Sequence, residues 1–219
     1  KEYQKVLEKY PKVDNYEEIL ARQNEIAGRF LAGQWFKLWG YVPFFPSMEK
    51  TADMYEKIIK NGPYSDVAPD AQMSIGTARE QQKEWSQAVR AYEKAADRYS
   101  DQPDVAADAL FKAGLAYHKQ AREAEYDQNA AALAIATFTD FITLFPNDER
   151  VAEAQQLISG MRYEQARGSF EIAKFYEKNK KFDGALIYYN EVLLKDPGSS
   201  MAILSRLRID EIKRRTSEQ

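Results

Sequence analysis

The chain has 219 residues, 44% hydrophobic and 30% charged, with a net charge of −3, no cysteine and one histidine. That balance belongs to a folded protein and not to a disordered tail. The absence of cysteine excludes disulfides, thiolate zinc sites and cysteine nucleophiles, and the slight acidity lacks the basic face that general nucleic-acid binding needs.

Only ten Gly and eight Pro punctuate the sequence, which favours helix throughout. The chain opens on Tyr3, Val6 and Pro11, the end of a partial helix pair. A first full pair is expected from Ile19–Leu31 and Glu49–Lys60, closing on Tyr55, Ile58 and Pro63. Between its helices lies Gly33–Ser47, GQWFKLWGYVPFFPS, a long aromatic loop. In the next copy Gly76 is followed twelve residues later by Ala88, then by Tyr92, Ala95 and Pro103. The third copy has Gly114 and Tyr117, then Ala134, Phe138, Phe141 and Pro146, its eight extra residues falling near Gln120–Asn129. The fourth has Ala173, then Ala185, Tyr189, Val192 and Pro197. Pro146 to Ala173 is unusually long and nearly free of breakers, so Val151–Lys178 reads as one long helix or two nearly collinear ones. Ser199–Lys213 is a last helix, polar enough to cap a stack.

The signature has a physical reading. A small residue on the first helix and an alanine on the second let two antiparallel helices approach, and an aromatic one turn on fills the gap to the next pair. Proline then stops the second helix. Ser65, Asp101, Asn147 and Ser199 are expected N-caps of the helices that follow them. A period of about 34 residues is that of tetratricopeptide repeats. The expected fold is an all-α tetratricopeptide-repeat solenoid of four to five helix pairs, wound as a right-handed superhelix. It forms one domain, 1–219, with a partial repeat at 1–11, repeats at 16–63, 69–102, 107–146 and 166–197, and a terminal helix at 199–215.

Chemistry-bearing constellations are few. His118 is the one histidine, on a helix beside Gly114 and Phe111, and reads as a packing or surface residue. The acidic pairs Glu17/Glu18 and Glu123/Glu125 are exposed helix residues, no glycine-rich phosphate loop occurs, and Lys178–Lys181 and Lys213–Arg215 complement helix C-termini. No catalytic residue, cofactor site or metal site is assigned, and the protein is expected not to be an enzyme. The polar insertion Gln120–Asn129 reads as a solvated extension of its loop. Binding is a different matter. The aromatic insertion, with Trp35, Trp39, Phe44 and Phe45, either packs on its own repeats or meets a partner or a membrane surface. Tyr117, Tyr176 and Tyr189 join it as candidate partner-binding residues.

Several stretches carry a family resemblance: Ala68–Pro103, then YDQNAAALAIATFTDFITLFPNDERVAEA over 126–154, then MRYEQARGSFEIAKFYEKNKKFDGAL over 161–186. Over about three quarters of its length the chain resembles the BamD (YfiO/ComL-like) family of outer-membrane β-barrel assembly lipoproteins. The resemblance implies a scaffold on the periplasmic side of the outer membrane, anchored by a lipidated cysteine upstream of Lys1. It would bind a BamA-like barrel protein, other assembly lipoproteins and unfolded barrel segments, and no nucleic acid. Tyr189 stands where the family often carries an arginine that touches the barrel protein, so that contact does not transfer, and the aromatic insertion is a departure from the family pattern. The alternative is another repeat adaptor of the bacterial envelope, serving a cell-wall or division complex.

Overall fold

The computed structural model describes residues 2–9, 13–34, 36–38, 42–44, 47–123 and 127–217, and of the two short strands it describes the backbone alone. Ten helices hold nearly all of these residues. In chain order they are α1 (Glu2–Lys9), α2 (Tyr16–Leu31), α3 (Met48–Asn61), α4 (Ala68–Gln81), α5 (Trp85–Arg98), α6 (Pro103–Glu123), α7 (Gln128–Leu144), α8 (Val151–Lys178), α9 (Phe182–Lys195) and α10 (Ser200–Ser217). The insertion between α2 and α3 is more than a loop. Its strands β1 (Phe36–Leu38) and β2 (Val42–Phe44) pair antiparallel, with Phe36 opposite Phe44 and Leu38 opposite Val42. Aromatic and branched residues favour that extended pairing, but a run of them has no period to announce it.

The helices pack in consecutive pairs, α2 on α3, α4 on α5, α6 on α7 and α8 on α9. The chain forms two compact units, Lys1–Asp148 and Glu149–Gln219. The core of the first unit begins with Leu20, Ala27, Ala52, Tyr55 and Ile58 and continues through Ala88, Tyr92, Ala95 and Ala113. In the second unit Ala173, Ala185, Tyr189, Ile209 and Ile212 cluster, beside Ala166, Val192 and Ala202.

The glycines show why the pairs repeat. A Cβ at Gly76 would collide with the Tyr92 ring, and one at Gly114 would lie 2.7 Å from Phe138. Each aromatic therefore seats first on the backbone of its own partner helix, rather than only filling the gap to the next pair as spacing alone suggests. Alanine serves at the matching place in the second unit, where Tyr189 also leans edge-on against Phe170 at 5.7 Å.

The helix ends follow a different rule from the expected caps. Ser199 does cap α10, its Oγ accepting from the Ala202 amide at 3.1 Å, and Asp127 caps α7 through two amides. Ser65, Asp101 and Asn147 cap nothing: α4 starts after Val67, α8 after Arg150, and α6 on Pro103. Proline in the first turn of α4 and α6 removes an amide that would otherwise need a cap. Ser65 instead donates its hydroxyl to the Gly62 carbonyl at 2.8 Å and folds the turn before α4.

Within three of the pairs the first helix ends in the same way. At Gly33, Lys83 and Lys180 the chain turns left-handed, with φ of 94°, 60° and 58°. The following amides of Gln34, Glu84 and Lys181 reach back to the carbonyls of Arg29, Arg79 and Tyr176, each at 3.0 Å. This is the Schellman arrangement, which satisfies helix-end carbonyls and normally uses glycine.

Val151–Lys178 is one helix of 28 residues. Gly160, exposed in its middle, has nothing within 4 Å of where a Cβ would stand. Gly160→Ala is expected to raise stability by about 1 kcal/mol, since only the helix penalty of glycine is removed. A thermal melt showing no gain would place an unseen neighbour at that face.

Candidate partner-binding surfaces

The candidate residues fall into different environments. Trp35, Trp39 and Phe45 lie outside the described residues, and of Phe44 the backbone alone is described, within β2. Tyr117, half-buried on α6, donates its hydroxyl to Glu93 at 2.9 Å and so ties α6 to α5. Burial and that carboxylate push its pKa up to about 12. Tyr176, half-buried on α8, stacks on Tyr188 with centroids 5.5 Å apart and covers Gly184. Tyr189 is wholly buried, and its hydroxyl donates to Glu177 at 2.6 Å. Burial and then Glu177 hold its pKa well above the ordinary phenol value. Tyr189 therefore packs within its own helix pair, at the base of a cleft of the second unit. The reason is its spacing: it follows Ala185 as Tyr92 follows Ala88, in the place the pair reserves for its seated aromatic.

The polar insertion is not simply solvated. Its first four residues lengthen α6 to Glu123, whose Oε2 accepts from the Trp85 indole at 2.6 Å while Gln120 accepts from Ser86. The extension is thus fastened to the start of α5. Half-buried His118 is held below its usual pKa by burial and then by Arg122 and Lys119. Among the described residues no three histidine or carboxylate side chains gather as a metal site would require.

The surface that the sequence did not disclose lies on the second unit. A cleft of about 750 Å³ is lined by Phe170, Phe175, Phe182, Leu204, Lys174 and Arg208, among others. Phe175 is 63% exposed and Leu204 49%. On α10, Ile203 and Leu207 are exposed as well, so this helix does not present the polar outer face expected of a cap. Lys174 pairs with Glu171 at 3.0 Å, and Arg208 pairs with Glu211 at 2.9 Å while lying 4.0 Å from Glu177. Exposed apolar side chains set among charged ones are the composition of a protein-binding patch. Phe175 adjoins the singled-out Tyr176, but helical spacing cannot tell which face a neighbouring helix leaves uncovered.

Consecutive helix pairs with a small residue facing a seated aromatic define an all-α repeat protein of the tetratricopeptide type. The family described as "YfiO: Outer membrane lipoprotein" matches residues 46–215, more than three quarters of the chain. The protein belongs to this family, and with it to the outer membrane. No curated protein matches the chain. The β1–β2 hairpin precedes the matched span. Among the described residues no helix is long and apolar enough to cross a membrane.

Proposed function

We propose that the protein is a non-enzymatic scaffold of the machinery that assembles β-barrels into the outer membrane. In this reading it works on the periplasmic side, held by a lipid anchor upstream of Lys1. It binds a BamA-like barrel protein, neighbouring assembly lipoproteins and segments of unfolded barrel proteins. The family match over 46–215 carries the reading, because it covers every helix pair from α4 onward. The exposed Phe175 and Leu204 in the cleft of the second unit support it, since uncovered apolar side chains on helices mark partner surfaces. Tyr117, Tyr176 and the aromatic insertion with Trp35, Trp39, Phe44 and Phe45 are proposed as further contacts.

The test is affinity capture of the full-length lipoprotein from its own solubilised envelope, with identification of what comes with it. Recovery of a barrel protein is expected. Phe175→Ser with Leu204→Ser is expected to reduce that recovery roughly tenfold, as loss of central apolar anchors does. Its melting temperature stays within a degree or two, because exposed positions contribute little to folding. Recovery of cell-wall or division proteins without a barrel protein would overturn the reading in favour of a different envelope adaptor.

A further inference from the structure

A second cleft, of about 830 Å³, opens in the first unit where α3 and α5 both pack on α4. Its floor is one stripe of α4, Gln72, Ile75 and Arg79, and its walls are the second helices of two successive pairs. The lining is strongly cationic. Lys60, Arg79, Arg90, Lys94 and Arg98 face one carboxylate, Glu56.

Most of that positive charge is uncommitted. Arg79 is neutralised by Glu84 at 2.8 Å. Arg98 donates to the Pro63 carbonyl at 3.1 Å and Arg90 to the Ser86 carbonyl at 3.3 Å, and both acceptors are neutral. Among the described residues no carboxylate pairs with Lys60, Lys94, Arg90 or Arg98. In a chain whose net charge is −3, such a concentration of cations is not an average of composition.

Two further features define what would fit. Arg90, Lys94 and Arg98 stand four residues apart on α5, so their stems rise about 6 Å per step. An extended peptide repeats its same-side residues about every 6.7 Å. The second feature is Gln72, only 2% exposed on the floor. Its Nε2 donates to the Ala91 carbonyl at 3.0 Å, and its Oε1 is buried without any donor. A buried acceptor is normally satisfied, and a peptide backbone N–H is a donor that a phosphate group lacks.

We propose that the α3–α4–α5 cleft binds an extended peptide segment carrying acidic side chains at alternate positions. Its carboxylates pair with the Arg90–Lys94–Arg98 ladder and with Lys60, and a backbone amide satisfies Gln72. The proposal does not depend on the barrel-assembly role, since it concerns a different cleft and specifies only the chemistry of the bound segment.

The test uses the full chain at low salt and a fluorescent, terminally blocked nonapeptide of alternating Thr and Glu, followed by anisotropy. Binding is expected, and is lost when every Glu of the peptide is replaced by Gln. A peptide of the same composition with its Glu residues contiguous is expected to bind several-fold more weakly, because its carboxylates no longer match the ladder. Arg90→Glu with Lys94→Glu is expected to weaken the alternating peptide roughly tenfold or more, the usual scale for losing close charge pairs. Both residues are exposed, and an unchanged circular dichroism spectrum verifies the fold. Gln72→Met, which keeps the shape and removes both the orphaned acceptor and the donor to Ala91, is expected to weaken binding, and an unchanged circular dichroism spectrum verifies its fold as well. Equal affinity for the alternating and contiguous peptides overturns the proposal, as does no binding at all. Binding of phosphatidylglycerol vesicles in place of the peptide, abolished by the same charge reversals, overturns it in favour of a lipid headgroup site.

Discussion

Phe138→Ala is expected to lower the unfolding free energy by about 3–5 kcal/mol, the range for truncating a buried phenylalanine. Phe138 is wholly buried, and its ring lies over Gly114 and edge-on to Phe111 at 5.6 Å. Phe111 in turn touches Phe141 at 5.3 Å, so the three rings form one cluster joining α6 to α7. Removing the Phe138 ring leaves a void walled by helix backbone at Gly114, which cannot collapse inward as a flexible side chain would. The melting temperature is expected to fall by on the order of 10 °C. A denaturant titration returning a loss under about 1 kcal/mol would show that α6 and α7 close over the gap, contrary to the rigid seating inferred here.

Gly76→Val tests the opposite side of the same design. In an ordinary exposed helix, replacing glycine usually helps. At Gly76 the new Cβ collides with a ring that is itself wholly buried, and Tyr92 is further held by its contact with the Thr77 hydroxyl at 3.3 Å. Overpacking of this kind costs about 1–3 kcal/mol, and valine's stiff branch places the effect at the upper end. Shortening the ring by Tyr92→Leu in the Gly76→Val background is expected to restore part of the loss. Each change alone destabilises, so the pair is non-additive in a direction that only direct contact produces. Additive losses would remove Tyr92 as the reason for the glycine.

These two pairs also explain how much of the fold could be read in advance. Gly76 with Tyr92 and Gly114 with Phe138 follow a spacing that survives in sequence because backbone contact leaves few alternatives. That spacing disclosed the helix pairs, and the scarcity of breakers over Val151–Lys178 left one long helix or two nearly collinear ones, of which the structure has the first. Helix starts were less legible. Ser65 and Asn147 have the chemistry of caps, yet Pro69 in the first turn of α4 and the turn before Arg150 moved the boundaries beyond them. The hairpin escaped because Phe36–Leu38 and Val42–Phe44 are only three residues each, too short to show a period. Tyr189 is buried against its own pair, a placement the sequence does not reveal because an aromatic on a helix looks alike whether it faces a partner or its own pair. Phe175, Leu204 and the α5 cation ladder were hidden for the complementary reason. Their exposure depends on which faces α8, α10 and α5 leave uncovered, a property of packing and not of any local pattern.

The Schellman turns bear on how these pairs tolerate change over generations. Gly33 meets the left-handed requirement freely, whereas Lys83 and Lys180 meet it at about 1 kcal/mol each. Both lysine side chains are exposed and Lys83 makes only a surface pair with Glu123 at 3.6 Å, so the backbone hand weighs more at these positions than the charge. Drift at 83 and 180 is then filtered by shape alone: glycine and asparagine pass, acidic and polar residues pass at some loss, and valine, isoleucine and proline are purged. Two such positions, seven residues beyond Gly76 and Ala173, can lose every trace of sequence likeness while the bend between helices is copied unchanged.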